Sequence, residues 1–279
     1  MLWRWGFNLG PTLAHRRRPA SATSEVARIL VELQSEGVAT SSIDALPSAR
    51  PAFDALRAMV PDNDSTGRSG VDEEGPISLL GNLPRLSHTH PSLALTMAPE
   101  LLAVADGFFG LSVQVVECKL WRSVPISGEP SGAQLWHRDR PADRRMLKCF
   151  VYLNDVGPEG GPFGYIPGTQ PGGALHDIAP AATPSSYVPR VDDDAMAACV
   201  PREAWRIATG PSGTIVFANT AGYHRGGFVE RGTRLALMCH YGSQAAWQRK
   251  RFEVIEPNDA LDRELGFRLG RRRLPLIAK

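Results

Sequence analysis

The sequence predicts a mainly β protein with a helical first third, in which short strands and long loops form a jelly roll or cupin-like barrel. Three observations predict this. Apolar residues before Gly110 recur at helical spacing, whereas the runs after Gly110 are rich in β-forming residues that alternate with period two. Connections crowded with Gly and Pro separate those runs. A chain of 279 residues with this pattern is expected to form one domain.

The first third is predicted to support the β-rich part. Residues 1–23 are expected to form a flexible basic arm. The next apolar residues have the spacing i, i+3, i+4 and i+7 of an amphipathic helix: Val26, Ile29, Leu30 and Leu33. Gly37 is expected to end that helix. The other elements predicted up to residue 110 are a strand over 38–43, a helix over 52–60, a mobile loop over 61–75 and a helix pair over 93–109, interrupted at Pro99.

Residues 111–255 are predicted to form the β core, and they hold every candidate ligand. Four runs of β-forming residues predict its strands: 112–121, 146–153, 214–218 and 235–239. Residues 157–168 are crowded with Gly and Pro and are predicted to be a tight connection. Residues 256–279 are expected to form a C-terminal tail.

Composition excludes several classes of function. Hydrophobic residues are 43% and charged residues 22%, as in an ordinary globular protein. The net charge is +2, so no general field attracts nucleic acid. No apolar run approaches the roughly 20 residues that span a bilayer. The four cysteines are scattered without a C-x-x-C pair, which argues against a zinc knuckle and predicts a reducing, cytoplasmic location. The expected partner is a small molecule.

Two histidines and one carboxylate form the most informative motif. His137 and Asp139 are two residues apart, so in an extended segment both side chains project to the same face. His224 would complete a facial triad, the ligand set of an iron(II) site that leaves positions open for substrate and dioxygen. The alternative is that three common polar residues occur here by chance. The apolar strand after the motif and a second His/Arg pair downstream favour the metal site.

A 2-oxo acid co-substrate requires a cation for its far carboxylate, and the planar guanidinium of arginine suits this best. Arg234 lies ten residues after His224, across Gly226, Gly227 and a turn-like segment. A hairpin of that length would place Arg234 on the next strand, facing the same pocket. The alternative is a surface salt bridge. Arg225 is the rival anchor, but it is adjacent to His224 and should point away.

Three further side chains are candidates for the pocket. Lys148 lies in an apolar strand, where its ammonium must either contact the co-substrate or form a structural ion pair. Gln134 and Trp136 flank the metal motif. Gln134 is expected to contact the co-substrate, and Trp136 to form a wall of the pocket, with plain packing as the alternative.

Four segments together resemble the phytanoyl-CoA dioxygenase family of Fe(II)/2-oxoglutarate oxygenases: 134–139 (QLWHRD), 147–153 (LKCFVYL), 161–170 (GPFGYIPGTQ) and 224–234 (HRGG through Arg). The resemblance implies a double-stranded β-helix core, with His137, Asp139 and His224 as metal ligands and Arg234 as the 2-oxoglutarate anchor. Gln170 departs from relatives that have His there, at a position that is not a ligand. Residues 172–210 resemble the family least and are predicted to form a lid that selects the substrate.

The resemblance implies an Fe(II)- and 2-oxoglutarate-dependent dioxygenase that uses dioxygen to hydroxylate a small organic or acyl substrate, releasing succinate and carbon dioxide. Halogenating relatives replace the carboxylate ligand with a small residue, whereas Asp139 is present here. The alternative is a non-redox cupin-like metal protein, either an isomerase, a hydrolase or a ligand-binding module, because the same ligands also bind zinc or manganese.

Overall fold

The computed structural model describes residues 2–17, 23–60, 71–72, 75–81, 85–183, 188–247 and 252–271. The α-helices of these residues are α1 (Leu9–Arg17), α2 (Ser24–Ser35), α3 (Arg50–Met59), α4 (Pro91–Thr96), α5 (Pro99–Phe109), α6 (Asp193–Ala197) and α7 (Arg263–Arg268). The strands are β1 (Val38–Ser42), β2 (Val71–Asp72), β3 (Gly75–Gly81), β4 (Arg85–Leu86), β5 (Gln114–Ser123), β6 (Leu147–Tyr152), β7 (Phe163–Tyr165), β8 (Arg206–Ala208), β9 (Thr214–Ala218), β10 (His224–Gly226), β11 (Arg234–Gly242) and β12 (Glu253–Val254).

Local sequence explains where the supporting helices begin and end. The Thr23 hydroxyl accepts a hydrogen bond from the Val26 amide (3.2 Å) and caps α2. Gly37 follows that helix with φ of +83°, a conformation that glycine adopts without strain. Pro99 starts α5, and Gly110 ends it with φ of +68°. The predicted helix pair, interrupted at Pro99, is confirmed.

Two antiparallel sheets form the β core. The larger sheet has the strand order β1-β9-β6-β11-β5-β3-β2, and the smaller has the order β10-β7-β8. Phe150, Val216 and Met238 of the larger sheet pack against Phe163 and Tyr165 of the smaller one. The predicted fold class, a double-stranded β-helix of the jelly-roll type with flanking helices, is confirmed. The sheets do not close into a complete barrel.

The larger sheet separates the helices from the pocket. On β6 and β11, alternate residues face the helices and join the main hydrophobic core: Leu147, Cys149, Val151, Leu235, Leu237 and Cys239. The intervening residues face the smaller sheet, because successive side chains of a strand point to opposite faces. Burial on both faces therefore explains why β6 and β11 are largely apolar. Their charged or polar side chains Lys148, Arg234 and His240 line the pocket.

Residues 2–17 form packed helical structure, so the prediction of a flexible arm is wrong for them. Trp3–Phe7 is a π-helical turn that precedes α1. The Trp3 indole nitrogen donates to Asp143 Oδ1 (2.7 Å), while Asn8 and Thr12 are fully buried. The sequence did not show this docking, since it depends on a carboxylate 140 residues away. Residues 18–22 lie outside the described residues.

Two other boundaries also differ from the prediction. The strand predicted over 38–43 forms as β1, but it joins the larger sheet beside β9 instead of belonging to a separate helical support. The tail contains α7, whose Arg268 forms a buried ion pair with Asp106 of α5. Of the loop predicted over 61–75, only 71–72 and residue 75 are described, and they belong to β2 and β3.

No helix in the described part of the chain has the length and hydropathy needed to cross a bilayer.

Candidate metal centre

The backbone brings the three predicted ligands together. The His137 amide donates to the His224 carbonyl (3.0 Å), and the reciprocal bond measures 2.9 Å. The Asp139 amide donates to the Thr220 carbonyl (2.9 Å). Asp139 Oδ1 then lies 4.0 Å from His137 Nε2 and 3.8 Å from His224 Nε2. One ligand atom from each residue lies within 4.8 Å of the others, so the group can hold a metal ion.

Both histidines are held with Nε2 directed at this point. His137 Nδ1 contacts the Leu135 carbonyl (2.8 Å), and His224 Nδ1 contacts the Gly222 carbonyl (3.0 Å). A carbonyl only accepts, so each Nδ1 carries the proton and each Nε2 presents a lone pair. Burial lowers the pKa of both imidazoles, and their mutual proximity lowers that of His137 further. The rings are therefore neutral near pH 7, the form that binds metal.

Lys148 forms an ion pair with the candidate ligand Asp139. Its Nζ lies 2.8 Å from Asp139 Oδ2. Burial opposes ionisation of this carboxyl, but the charge of the Lys148 ammonium and its hydrogen bond favour the ionised form and lower the Asp139 pKa. Of the two roles considered for Lys148, the structure shows the ion pair. One oxygen of Asp139 thus faces the histidines, while the other faces the ammonium.

A pocket of about 100 Å³ adjoins the three ligands and is lined by both sheets. Its floor is the inner face of β5, β11 and β6. Cross-strand register places Ser123 opposite Arg234 at one end, and His240 between Glu117 and Lys148 at the other. Since Arg234 and His240 are six residues apart on one strand, these ends are separated by roughly 20 Å.

Arg234 lines this pocket and is 5% exposed. Its guanidinium donates to the Gly161 carbonyl and, over 3.2 Å, to Ser123 Oγ. A guanidinium has about five N–H donors, so these two bonds orient the fork and leave donors for a carboxylate. Burial lowers the Arg234 pKa.

The path from His224 to Arg234 differs from the predicted hairpin. His224 lies on β10, which pairs with β7 of the smaller sheet, while Arg234 lies on β11 between β5 and β6 of the larger one. The intervening turn therefore crosses between sheets. The two side chains face one pocket because the sheets face each other. The tight connection predicted over 157–168 contains the partner strand β7.

Arg225 and Trp136 lie outside the pocket lining. Arg225 pairs with Asp193, and its guanidinium lies 4.5 Å from the Trp136 ring centroid. The Trp136 indole nitrogen donates to Asp193 Oδ1 (2.7 Å), and its ring packs against Trp205 at 5.0 Å. The expectation that Trp136 forms a pocket wall is therefore wrong, and the packing alternative is correct. Trp136 faces opposite to His137, toward residues 191–205.

Gln134 lines the pocket and is 7% exposed. Its Oε1 accepts a hydrogen bond from the Ser131 amide (3.0 Å), which fixes the turn before the metal motif. The structure thus gives Gln134 a structural bond in addition to its position in the pocket.

Several pocket residues were not among the sequence candidates: Glu117, Trp121, Arg140, Arg190 and His240. Period-two alternation from Arg234 would have indicated His240, and alternation on β5 would have linked Glu117 with Trp121. Arg190 lies in the predicted lid, and no local pattern marks it. Its place depends on a backbone pairing between Val191 and Trp136.

Solved structures share this fold. The chain is similar to the epimerase SnoN in complex with Fe³⁺, α-ketoglutarate and nogalamycin RO (TM-score 0.54, 16% identity, 82% of this chain and 87% of SnoN). It is also similar to EctD from S. alaskensis with 2-oxoglutarate and 5-hydroxyectoine (TM-score 0.54, 20% identity, 93% of this chain and 88% of EctD). The carbocyclase SnoK from nogalamycin biosynthesis gives a TM-score of 0.51 at 18% identity, over 82% of this chain and 87% of SnoK.

These similarities establish the fold class, which this chain shares with non-heme, 2-oxoglutarate-dependent enzymes. No protein-family model matches the chain, and no curated protein matches its sequence. The phytanoyl-CoA dioxygenase family stays a prediction from the four sequence segments.

Proposed function

We propose that this protein is an Fe(II)- and 2-oxoglutarate-dependent oxygenase. The observation that carries the proposal is the convergence of His137, Asp139 and His224, with Arg234 in the same pocket. Three protein ligands of this type leave open positions on iron, as a non-heme oxygenase requires. SnoN and EctD, which share the fold, were solved with iron or 2-oxoglutarate, or both.

The donor set fits this metal. Two neutral imidazoles with Nε2 directed at one point, and one ionised carboxylate oxygen, would hold Fe(II). The backbone carbonyls of Leu135 and Gly222 maintain the required tautomers. When bound, iron with 2-oxoglutarate would supply the activation of dioxygen and the oxidation of a substrate C–H bond.

Other residues of the chain would bind and orient the co-substrate. Arg234 would hold its far carboxylate through a charge-assisted pair, oriented by Ser123 and Gly161. Phe150 and Phe163, whose rings lie 4.6 Å apart, line the pocket, and their apolar rings would exclude water beside His224. Lys148 would keep the second oxygen of Asp139 paired and thereby fix the orientation of the carboxylate.

We further propose that the reaction is hydroxylation of a small organic or acyl substrate, with release of succinate and carbon dioxide. Asp139 supports this, since the carboxylate ligand is present. All four cysteines are free thiols, which is consistent with the predicted cytoplasmic location.

Turnover tests the proposal. Purified protein given Fe(II), ascorbate, 2-oxoglutarate and oxygen should form succinate, at a slow basal rate without substrate and faster with an accepted substrate. The His224→Ala variant should form none, because it lacks a ligand. If neither the basal reaction nor a broad metabolite mixture yields succinate, while zinc or manganese binds stoichiometrically, the non-redox metal protein replaces this proposal.

A further inference from the structure

Arg190 places a second guanidinium in the candidate metal pocket. It lines the pocket and is 9% exposed. Its neighbour Val191 exchanges two backbone hydrogen bonds of 2.9 Å with Trp136. Arg190 itself exchanges backbone bonds of 2.7 and 3.0 Å with Thr183. Two bonds thus join this part of the lid to the segment that carries the metal motif, and two more hold Arg190 within the lid.

Alternation along this pairing directs the Arg190 side chain. Val191 and Trp136 belong to the same hydrophobic cluster, on the side of the lid away from the metal. Their sequence neighbours Arg190 and His137 project to the opposite side, into the pocket.

The pocket therefore contains more cationic groups than the co-substrate requires. Once 2-oxoglutarate chelates a metal through its oxo acid end, it has one carboxylate left, which Arg234 can hold. Arg190 is on the lid instead of the sheet floor, beside the metal ligands. The exposed Arg140 adds a third guanidinium at the pocket edge. A guanidinium has several N–H donors in a planar fork, so an arginine on the lid can bind an oxyanion of another molecule in addition to its contacts within the protein.

We propose that Arg190, assisted by Arg140, binds an oxyanion of the substrate, a carboxylate or a phosphate, and so makes the enzyme selective for acidic substrates. This inference rests on the proposed function. The lid supplies the anion contact above the metal ligands, while the sheet floor supplies the co-substrate contact. Glu117 and His240 at the end of the floor opposite Arg234 would contact the uncharged polar part of the substrate.

Anion binding to the full-length protein tests this without turnover. The protein is loaded with Mn(II), and calorimetry first measures the affinity for 2-oxoglutarate. The affinities for benzoate, inorganic phosphate and uncharged benzamide are then measured, each with and without saturating 2-oxoglutarate. Benzoate or phosphate should bind to the 2-oxoglutarate complex, and benzamide should not. Which anion binds more tightly distinguishes a carboxylate substrate from a phosphate.

Matched variants assign the effect to Arg190. Arg190→Gln should weaken anion binding by about tenfold or more, while the affinity for 2-oxoglutarate changes by less than about threefold. Arg190→Lys keeps the charge without the fork and should recover part of the binding. Arg206→Gln is the control: it removes the same charge from an exposed pair with Glu36.

Three outcomes overturn the proposal. In the first, neither anion binds the Mn(II)-loaded wild-type protein. In the second, the Arg190→Gln variant binds the anion as tightly as the wild type does. In the third, Arg190→Gln loses 2-oxoglutarate binding, and Arg190 is then the co-substrate anchor. Failure of the proposed function is distinguishable from these. If 2-oxoglutarate does not bind but Arg190-dependent anion binding persists, the oxyanion site is supported and the proposed oxygenase activity is rejected.

Discussion

At the residue scale, alternation on an extended backbone explains which side chains reach the metal site. His137 and Asp139 share one face, while Trp136 and Arg225 share the lid side with Asp193. Trp136 had been expected in the pocket because it is next to a ligand. In an extended segment, however, a residue next to a ligand points away from the pocket, since neighbouring residues face opposite sides.

Arg234 and Arg225 should differ sharply when replaced. Arg234→Ala removes a buried charge-assisted pair that is worth about 2–5 kcal/mol when its partner stays buried. The Kd for 2-oxoglutarate should therefore rise by a factor of about tens to thousands, while Fe(II) binding is retained. Arg234→Lys should restore part of the affinity. Calorimetry measures the affinity of each variant for Fe(II) and then the affinity of the metal-loaded variant for 2-oxoglutarate.

Arg225→Ala is the matched control, because Arg225 contacts Asp193 and Trp136 instead of the pocket. Its Kd for 2-oxoglutarate should stay near the wild-type value. A larger loss for Arg225→Ala than for Arg234→Ala, or a loss of iron in Arg234→Ala, would refute the assignment of the anchor.

At the scale of elements, the smaller sheet positions His224 and the anchor together. β7 pairs with β10, and the carbonyl of Gly161, just before β7, accepts from Arg234. Gly161 has φ of +69°, and a Cβ there would lie 2.5 Å from the Gly227 carbonyl oxygen. Glycine is required here for both reasons: the left-handed backbone and the close approach of two chain segments.

Gly161→Ala should therefore damage both stability and co-substrate binding. The left-handed conformation costs about 1–2 kcal/mol for a residue with a Cβ, and the backbone clash adds to it. Gly172→Ala is the control, because Gly172 has φ of +84° with nothing within 4 Å of the added Cβ. Chemical denaturation should show a larger loss for Gly161→Ala, and only this variant should bind 2-oxoglutarate more weakly. Equal effects in the two variants would show that the close approach does not matter.

Elements with a local signal could be predicted, whereas those that depend on distant partners could not. Strands β5, β6, β9 and β11 and the helices α2 to α5 follow from periodicity and glycine or proline signals. The docking of residues 2–17 on Asp143, and the placement of Arg190 over the metal ligands, depend on long-range pairing. The candidate ligand set could be predicted from the spacing of its residues, whereas the crossing between sheets that brings His224 near Arg234 could not.

At the scale of the whole molecule, a buried ion pair holds α7 against α5. Arg268 is 2% exposed and donates to both carboxylate oxygens of Asp106, at 2.6 and 2.7 Å. It also donates to the carbonyl of Val113 (3.0 Å), the residue just before β5. Removal of one partner of such a pair leaves a buried charge without compensation, which is strongly destabilising.

Arg268→Met should lower the free energy of unfolding by about 3–5 kcal/mol, measured by urea denaturation. The double variant Arg268→Met with Asp106→Asn should recover part of this loss, because no buried charge is left unpaired. Arg206→Met, at an arginine whose side chain is 58% exposed, should change stability by about 0.5 kcal/mol or less. If Arg268→Met is as mild as Arg206→Met, the pair does not hold the C-terminal helix.

We propose above all that His137, Asp139 and His224 hold Fe(II) in a pocket that also binds 2-oxoglutarate. Anaerobic titration of the Fe(II)-loaded protein with 2-oxoglutarate measures this directly. We expect a weak visible charge-transfer band that saturates at one equivalent of 2-oxoglutarate per iron, and no band in His224→Ala. Stoichiometric iron binding without the band, or an undiminished band in His224→Ala, would contradict the account.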